Sequence, residues 1–313
     1  MSALNEPLRL APELLEKIEN LQIVARQVAE GTLAGMHLSK RHGTSIEFSE
    51  HKVYTPGDDI RHIDWHAYAK TDRFHVKRFE DETNLRLELI VDHSSSMGFP
   101  EEPPKTRKSD QYLTKLEYAN SIAAGLSYLA LRQGDATGLT TFAERPTHQL
   151  PPRAHSAHLV EILTRLAQLE PGGKTQIAHS IDTLAQRQMR PSVIILLSDL
   201  FDPSPELLPS LKRLAARRHE VNILHILDPD EIDFPYENPA TFESIEDNQS
   251  IFIHPRTLRQ TYLAEMAKFL KETERRFSAN GLHYKLMCTA ENPGHLLAEF
   301  LRSRQNRRRS ATP

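Results

Sequence analysis

Runs of apolar residues alternate with amphipathic segments from residue 85 to 303, and this alternation is the strongest constraint on the fold. Short strands are predicted, most of them almost wholly apolar, at 85–92, 136–142, 191–199, 220–227 and 282–288. Helical periodicity is seen between them at 115–133, 158–169, 176–189, 205–218, 256–279 and 293–303. Buried strands separated by helices predict an α/β fold with a doubly wound, mostly parallel central sheet that is covered by helices on both faces.

Composition excludes several classes of protein. With 313 residues and 39% hydrophobic content, the chain can fill a large core, and a net charge of −3 gives no overall bias toward nucleic acid or anionic lipid. We find no apolar stretch of about 18 residues, so we expect no membrane span. Cys288 is the only cysteine, which excludes an intramolecular disulfide and any multi-cysteine metal site. We therefore expect a cytoplasmic protein.

The chain divides by pattern into regions of different character. Residues 1–84 contain an amphipathic helix from Glu13 to about Gly31 and then a polar, irregular stretch. The α/β pattern fills 85–303, interrupted by a proline-containing segment at 228–255 that we interpret as an inserted hairpin or lid. The basic residues 304–313 are predicted to form a disordered tail.

Carboxylates and hydroxyls occur in three loops that we expect at one edge of the sheet. Asp92 ends the first predicted strand, and Ser94 and Ser96 follow it at two-residue spacing. Thr175 comes after paired glycines at a helix start, and Asp199 ends a central strand. Ligands of doubly wound sheets bind outside the carboxyl ends of the strands, so these side chains are candidates for one site.

These residues supply only hard oxygen donors, which suit Mg²⁺ or Mn²⁺ better than zinc or copper. Two carboxylates, Asp92 and Asp199, would balance a divalent ion, and the hydroxyls would add no further charge. Mg²⁺ commonly retains water molecules and exchanges them for other oxygen ligands. An acidic side chain of a protein partner could therefore complete the coordination.

Less specific interpretations of the same residues exist. The loop of Asp92 could be a polar turn that caps the next helix. The letters "GGKT" suggest a phosphate-binding loop, but Gln168 stands where that motif needs its first glycine, and no strand precedes it. A metal-dependent hydrolase or phosphotransferase with Asp92 as nucleophile is the alternative function, although this loop has serines where a second acid is needed. A nucleic-acid-binding module would rest on the basic tail and the cluster at 61–78 alone.

The order Asp92-His93-Ser94-Ser95-Ser96, then Thr175 after Gly-Gly, then Asp199 in "LLSDL" resembles the metal-ion-dependent adhesion site (MIDAS) of von Willebrand factor A-like domains. In addition, "YTPGDDIRHIDWHAYAKTDRFHVKRFEDE" at 54–82 resembles the signature of the bacterial domain-of-unknown-function family 58, with Lys70 where that family often has arginine. The two resemblances together imply a non-enzymatic adaptor that binds protein through a metal ion.

The resemblance also implies partners and roles. Asp92, Ser94 and Ser96 would hold Mg²⁺ or Mn²⁺, Thr175 would join when a ligand is engaged, and Asp199 would bind directly or through water. Proteins of this kind are commonly encoded beside MoxR-type AAA+ ATPases, which implies a chaperone-like or complex-maturation activity with such an ATPase or its client. No nucleic acid is expected as a partner. Whether the charged residues at 58–65 form a structural turn or an interface is left open by the sequence.

Overall fold

The computed structural model describes residues 12–40, 52–53, 75–76, 85–101, 112–187, 190–202, 204–243, 245 and 250–310. The chain forms two compact units, one of residues 37–84 and one of residues 1–36 with 85–313. In the smaller unit, strand β1 (Lys52–Val53) pairs antiparallel with β2 (His75–Val76). Apart from β2, the signature at 54–82 lies outside the described residues.

The larger unit is built on a six-stranded sheet with the order β10-β7-β6-β3-β4-β5 in our numbering. Its described strands, including a separate hairpin of β8 and β9, are β3 (Arg86–Asp92), β4 (Ala136–Phe142), β5 (Pro146–Arg153), β6 (Val193–Ser198), β7 (Glu220–Leu227), β8 (Ala240–Glu243), β9 (Ser250–Ile253) and β10 (His283–Cys288). All neighbours in the large sheet are parallel except β4 and β5. The predicted mostly parallel sheet is confirmed.

Helices cover both faces of this sheet, as predicted. Their bounds are α1 (Pro12–Lys40), α2 (Lys115–Arg132), α3 (Ala157–Ala167), α4 (Ile177–Arg187), α5 (Leu207–Ala216), α6 (Pro229–Asp233), α7 (Pro255–Ser278) and α8 (Pro293–Ser310). Side chains of β3 alternate between two cores, since Leu89 and Val91 pack with α1, α2, α3 and α8 while Ile90 packs with α4, α5 and α7. A strand buried on both sides explains the continuous apolar sequence.

Helix α1 packs against the sheet unit, so the unit boundary differs from the division we predicted at residue 84. Val28 lies so close to Gly125 of α2 that a Cβ atom on the glycine would approach Val28 Cγ1 to 2.5 Å. The hydroxyl of Thr32 also donates to the carbonyl of Gly294, at 3.2 Å. An apolar stripe on α1 thus buries itself on α2 and α8, and local sequence pattern does not reveal which partner a stripe will choose.

Two elements differ from the predicted pattern. Strand β5, Pro146–Arg153, was not predicted because its sequence contains three prolines, which lack an N–H. Its place at the edge of the sheet accommodates them. The segment at 228–255 contains the predicted hairpin, β8 with β9, and in addition the short helix α6.

The C-terminal helix is longer than predicted. Helix α8 continues to Ser310 and includes Arg304, the first residue of the predicted disordered tail. Arg304 forms an ion pair with Glu220 at the beginning of β7, and its Nη2 donates to Glu220 Oε2 at 3.0 Å. This contact joins residues far apart in sequence, so composition alone gave no sign that it would extend the helix.

Candidate functional site

Strands β3 and β6 lie side by side at the point where the chain changes direction across the sheet. From β3 the order runs through β4 to β5 on one side, and through β6 and β7 to β10 on the other. Val91 pairs with Leu197 in the parallel register, so Asp92 and Ser198 are the next residues on each strand. Crevices at such positions are where ligands of doubly wound sheets bind.

The loop after β3 brings the first three predicted ligands together. The backbone N–H of Ser94 donates to Asp92 Oδ1 at 2.9 Å, and the hydroxyls of Ser94 and Ser96 are 3.3 Å apart. A single 3₁₀ turn over Ser95–Gly98 gives the loop this shape. Asp92 and Ser94 are fully buried, whereas Ser96 is partly exposed, so the cluster opens toward solvent on the Ser96 side.

Neither serine hydroxyl acts as a helix cap. Ser94 precedes the 3₁₀ turn without donating or accepting a capping bond from its side chain. The next helix that the structure describes, α2, is capped instead by Thr114 and Glu117 in a reciprocal capping box. This loop therefore does not cap α2.

The Gly-Gly loop lies against the serine loop. The N–H of Gly172 donates to the carbonyl of His93, and the N–H of Ser95 donates to the carbonyl of Gly173, both at 2.9 Å. Gly173 has φ +77°, which a residue with a side chain adopts only with strain. Thr175, only 6% exposed, lies two residues further along the chain. The loop follows helix α3 and not a strand, which confirms that it is no phosphate-binding loop.

Asp92 and Asp199 are both fully buried but have different partners. Asp92 Oδ2 accepts a 2.6 Å hydrogen bond from the hydroxyl of Ser198. Asp199 Oδ1 accepts from the N–H of Phe201 at 3.2 Å, and its Oδ2 pairs with Lys115 Nζ at 2.8 Å. The same ammonium pairs with Glu231 Oε1 at 2.6 Å. One carboxylate of the site thus has an internal cation, while the described contacts of the other are neutral.

Burial and charge set the electrostatics of the site. Burial, together with the negative charge of Asp199, raises the pKa of Asp92 to about 7. Burial alone would lower the pKa of Lys115, but the charges of Asp199 and Glu231 outweigh it and raise this pKa, so the ammonium remains charged. Desolvation of Glu231 outweighs the effect of Lys115 and raises the pKa of that carboxyl.

Sequence reasoning missed three members of this cluster. Ser198 could have been found, because it precedes Asp199 at a strand end and therefore lies opposite Asp92 in a parallel register. A capping box at Thr114 could have marked Lys115 as the first residue of a helix. Nothing local marks the burial of Lys115 or its pairing with Glu231, because the two side chains are 116 residues apart in sequence.

Any metal site in the described part of the chain must include ligands other than His, Cys, Asp and Glu side chains. No group of three or more His, Cys, Asp and Glu side chains among the described residues could hold a metal ion by itself. The described residues likewise contain no helix that is long and apolar enough to cross a membrane.

Comparison with known proteins identifies relatives. The family model described as "Protein of unknown function DUF58" matches residues 50–272. Two uncharacterized proteins, Rv1480 of Mycobacterium tuberculosis and Mb1516 of Mycobacterium bovis, are each 27% identical over 238 residues, which cover 75% of this chain and 72% of the relative.

Solved structures give more distant likenesses. The conserved hypothetical protein BatB from Bacteroides thetaiotaomicron is similar at a TM-score of 0.45 and 16% identity, covering 71% of this chain and 99% of BatB. The vWF domain of the type V pili tip protein Mfa5 from Porphyromonas gingivalis is similar at a TM-score of 0.34 and 14% identity. The match covers 73% of this chain and 96% of the Mfa5 domain. These are low scores, so the fold is assigned from the strand order and register given above.

Proposed function

Because the chain belongs to the DUF58 family, we propose that it is a non-enzymatic protein that binds a protein partner through a divalent metal ion. Asp92, Ser94 and Ser96 would hold Mg²⁺ or Mn²⁺, and Thr175 would join them when a partner is engaged. The partner would be a MoxR-type AAA+ ATPase or its client, which offers an acidic side chain. The proposal includes a cytoplasmic location, since the single Cys288 leaves no internal disulfide.

One observation carries this proposal: Asp92 is fully buried, and none of its described contacts is to a cation. Burying an ionised carboxylate without an opposite charge is unfavourable, and this is the main reason why the pKa of Asp92 is raised. A cation bound from solution would stabilise the ionised form of Asp92. The neighbouring oxygens of Ser94 and Ser96 are of the kind that Mg²⁺ prefers.

The net charge of the cluster fits a divalent ion. Asp92, Asp199 and Glu231 against the ammonium of Lys115 leave two negative charges when all of them are ionised. Monovalent cations would leave this cluster under-neutralised. The donors are carboxylates and hydroxyls without thiol or imidazole, which favours Mg²⁺ or Mn²⁺ over zinc or copper.

Access for a partner is available on the side of Ser96, which is partly exposed. Bound there, Mg²⁺ or Mn²⁺ would supply a coordination position open to a carboxylate oxygen of another protein. The fold of this chain would orient the hydroxyls of Ser94 and Ser96 and exclude water from Asp92. It would also hold the loop of Gly172 and Gly173 beside the loop that follows β3. The alternative, a phosphoester hydrolase, gains nothing from Lys115, because its ammonium is already paired with two carboxylates.

Isothermal titration of Mg²⁺ and Mn²⁺ into the protein and its Asp92→Ala variant tests the proposal. Asp182→Ala is a matched control, because Asp182 is a surface carboxylate that pairs with Arg213. We expect the wild type and the control to bind the ion and Asp92→Ala to lose binding. Pull-down of a MoxR-type ATPase should then need both the ion and Asp92. Equal binding by all three proteins would contradict the proposal.

A further inference from the structure

Lys115 is a fully buried cation at the edge of the candidate site. Its side chain has 0% exposure and contacts Asp199, also at 0%, and Glu231, at 15%. The ring of Phe201 lies 5.0 Å from the ammonium and that of Phe99 lies 5.9 Å away. A buried ammonium needs charged partners and an electron-rich environment, and this one has both.

The ion pair with Lys115 and a backbone hydrogen bond occupy both carboxylate oxygens of Asp199. Its Oδ2 is taken by the ammonium at 2.8 Å, and its Oδ1 accepts the N–H of Phe201 at 3.2 Å. The backbone carbonyl of Asp199 is held as well, by His225 Nε2 at 2.8 Å. Asp199 is thus fixed by three separate contacts, whereas Asp92 next to it has none with a cation.

Glu231 fixes the position of Lys115 from the other side. It lies in α6, where its Oε2 accepts the N–H of Asp228 at 2.8 Å, and its carbonyl accepts the hydroxyl of Tyr262 at 2.8 Å. Both of its carboxylate oxygens therefore have a partner within the fold. Lys115 is held between two anchored carboxylates and cannot move toward Asp92 without losing one of them.

We propose that Lys115 is a positioning residue that withholds Asp199 from the metal ion, so that Asp92 is the only carboxylate among the described residues that coordinates it. This inference rests on the proposed function of the site. Its consequence concerns the ligand: an ion with a single protein carboxylate keeps more of its attraction for an outside acid. Lys115 would thus lower the affinity of the free protein for the ion and raise the affinity of the bound ion for an acidic side chain of a partner.

A double-mutant cycle on Lys115 and Asp199 tests this role. Mn²⁺ and Mg²⁺ affinities are measured by isothermal titration for the wild type, Lys115→Met, Asp199→Asn and the double variant. We expect Lys115→Met to bind the ion about tenfold more tightly, because it releases a second carboxylate. Asp199→Asn should then cost about tenfold more affinity in the Met background than in the wild type.

The cycle separates positioning from simple charge repulsion. If Lys115 only repels the ion at a distance, the two substitutions will be additive within about threefold, and the inference is overturned. Lys268→Met is the matched control, since Lys268 is an exposed lysine near Glu265 and should leave the affinity unchanged. If Lys115→Met does not fold, the same cycle is built on Lys115→Met combined with Glu231→Gln, which removes one of the two carboxylates that Lys115→Met leaves without a counter-charge.

The outcomes also distinguish this inference from the proposed function. Wild-type binding that depends on Asp92, combined with additive effects at Lys115 and Asp199, overturns the inference alone. No binding by the wild type overturns the proposed function and, with it, the claim that Asp92 coordinates the ion; binding by Lys115→Met that needs Asp199 would then support only the withholding of Asp199 by Lys115. Absence of binding in every variant overturns both.

Discussion

Two buried aspartates at the carboxyl ends of β3 and β7, which are separated in the sheet by β6, have nearly the same hydrogen bonds. Asp92 Oδ1 accepts the N–H of the residue two positions later, and its Oδ2 accepts a hydroxyl at 2.6 Å. Asp228 after β7 does the same with the N–H of Asp230 at 2.9 Å and the hydroxyl of Thr289 at 2.6 Å. By these contacts alone, the two residues would be assigned the same role.

The two aspartates differ in the segment that comes after each of them in the chain. Asp228 is the N-cap of α6 and forms a reciprocal capping box with Glu231, so its carboxylate stabilises a helix start. Asp92 precedes a 3₁₀ turn that takes no side-chain cap, and the hydroxyls of Ser94 and Ser96 stand beside it. The comparison teaches that an aspartate at a strand end becomes a candidate ligand only through the donors around it.

The largest expected difference between the two aspartates is in ion affinity. Asp92→Asn keeps the shape of the side chain but removes the charge, and we expect it to weaken Mn²⁺ binding by about 100-fold. Asp228→Asn should change this affinity by less than about threefold, because Asp228 serves a helix. Isothermal titration of both variants checks this, and equal losses would place the two residues in one ion site.

Stability should show the reverse order. Asp228→Ala removes a helix cap and leaves the Thr289 hydroxyl without its acceptor, which should lower the free energy of unfolding by about 2 kcal/mol. Asp92→Asn, measured by urea unfolding in the presence of a chelator, should not lower it. Greater destabilisation by Asp92→Asn than by Asp228→Ala would mean that Asp92 is the structural residue of the pair.

Stability of the ion-free protein should also depend on pH through Asp92. Its pKa is raised from 3.8 to about 7 in the folded protein, so the folded state favours the neutral carboxyl. This contribution is present in full below pH 4 and is lost as the pH rises through 7, by at least about 1 kcal/mol. Chemical unfolding across this range should show the loss in the wild type and not in Asp92→Asn, and Mg²⁺ should reverse it.

The smallest expected effect concerns two adjacent serines. Ser96→Ala removes a neutral oxygen beside Asp92 and should weaken Mn²⁺ binding about fivefold, less than the loss of a carboxylate. Ser95→Ala is the matched control, because the link of Ser95 to the Gly-Gly loop runs through its backbone N–H, which alanine keeps. Isothermal titration of both variants tests whether only the residues at two-residue spacing from Asp92 bind the ion. A greater loss of Mn²⁺ affinity with Ser95→Ala than with Ser96→Ala would contradict this.

Much of the architecture could be predicted from sequence because it depends on local periodicity. Strand β7 was predicted with its observed bounds, Glu220–Leu227, since eight consecutive residues bury almost completely in a parallel sheet. Strand β5 could not be predicted, because its prolines are acceptable only at an edge, and edge position is a property of the whole sheet.

The part of the candidate site that depends on local spacing could likewise be predicted from the sequence. Asp92, Ser94 and Ser96 lie within five residues of one another, and the strand that ends at Asp92 fixes their direction. The sequence also indicated that Thr175 and Asp199 follow at the same edge. It could not indicate that Ser198 donates to Asp92, because that bond requires the parallel register of β3 and β6.

By itself, the sequence determined the strand and helix pattern, the oxygen donors near Asp92 and the family signature, because periodicity and spacing act over a few residues. Only the tertiary structure decided which carboxylate has an internal cation. Lys115 reaches Asp199 across 84 residues of chain and Glu231 across 116. The physical reason is burial, because an ammonium removed from water is stable only beside opposite charges, and the fold determines which carboxylates lie next to it.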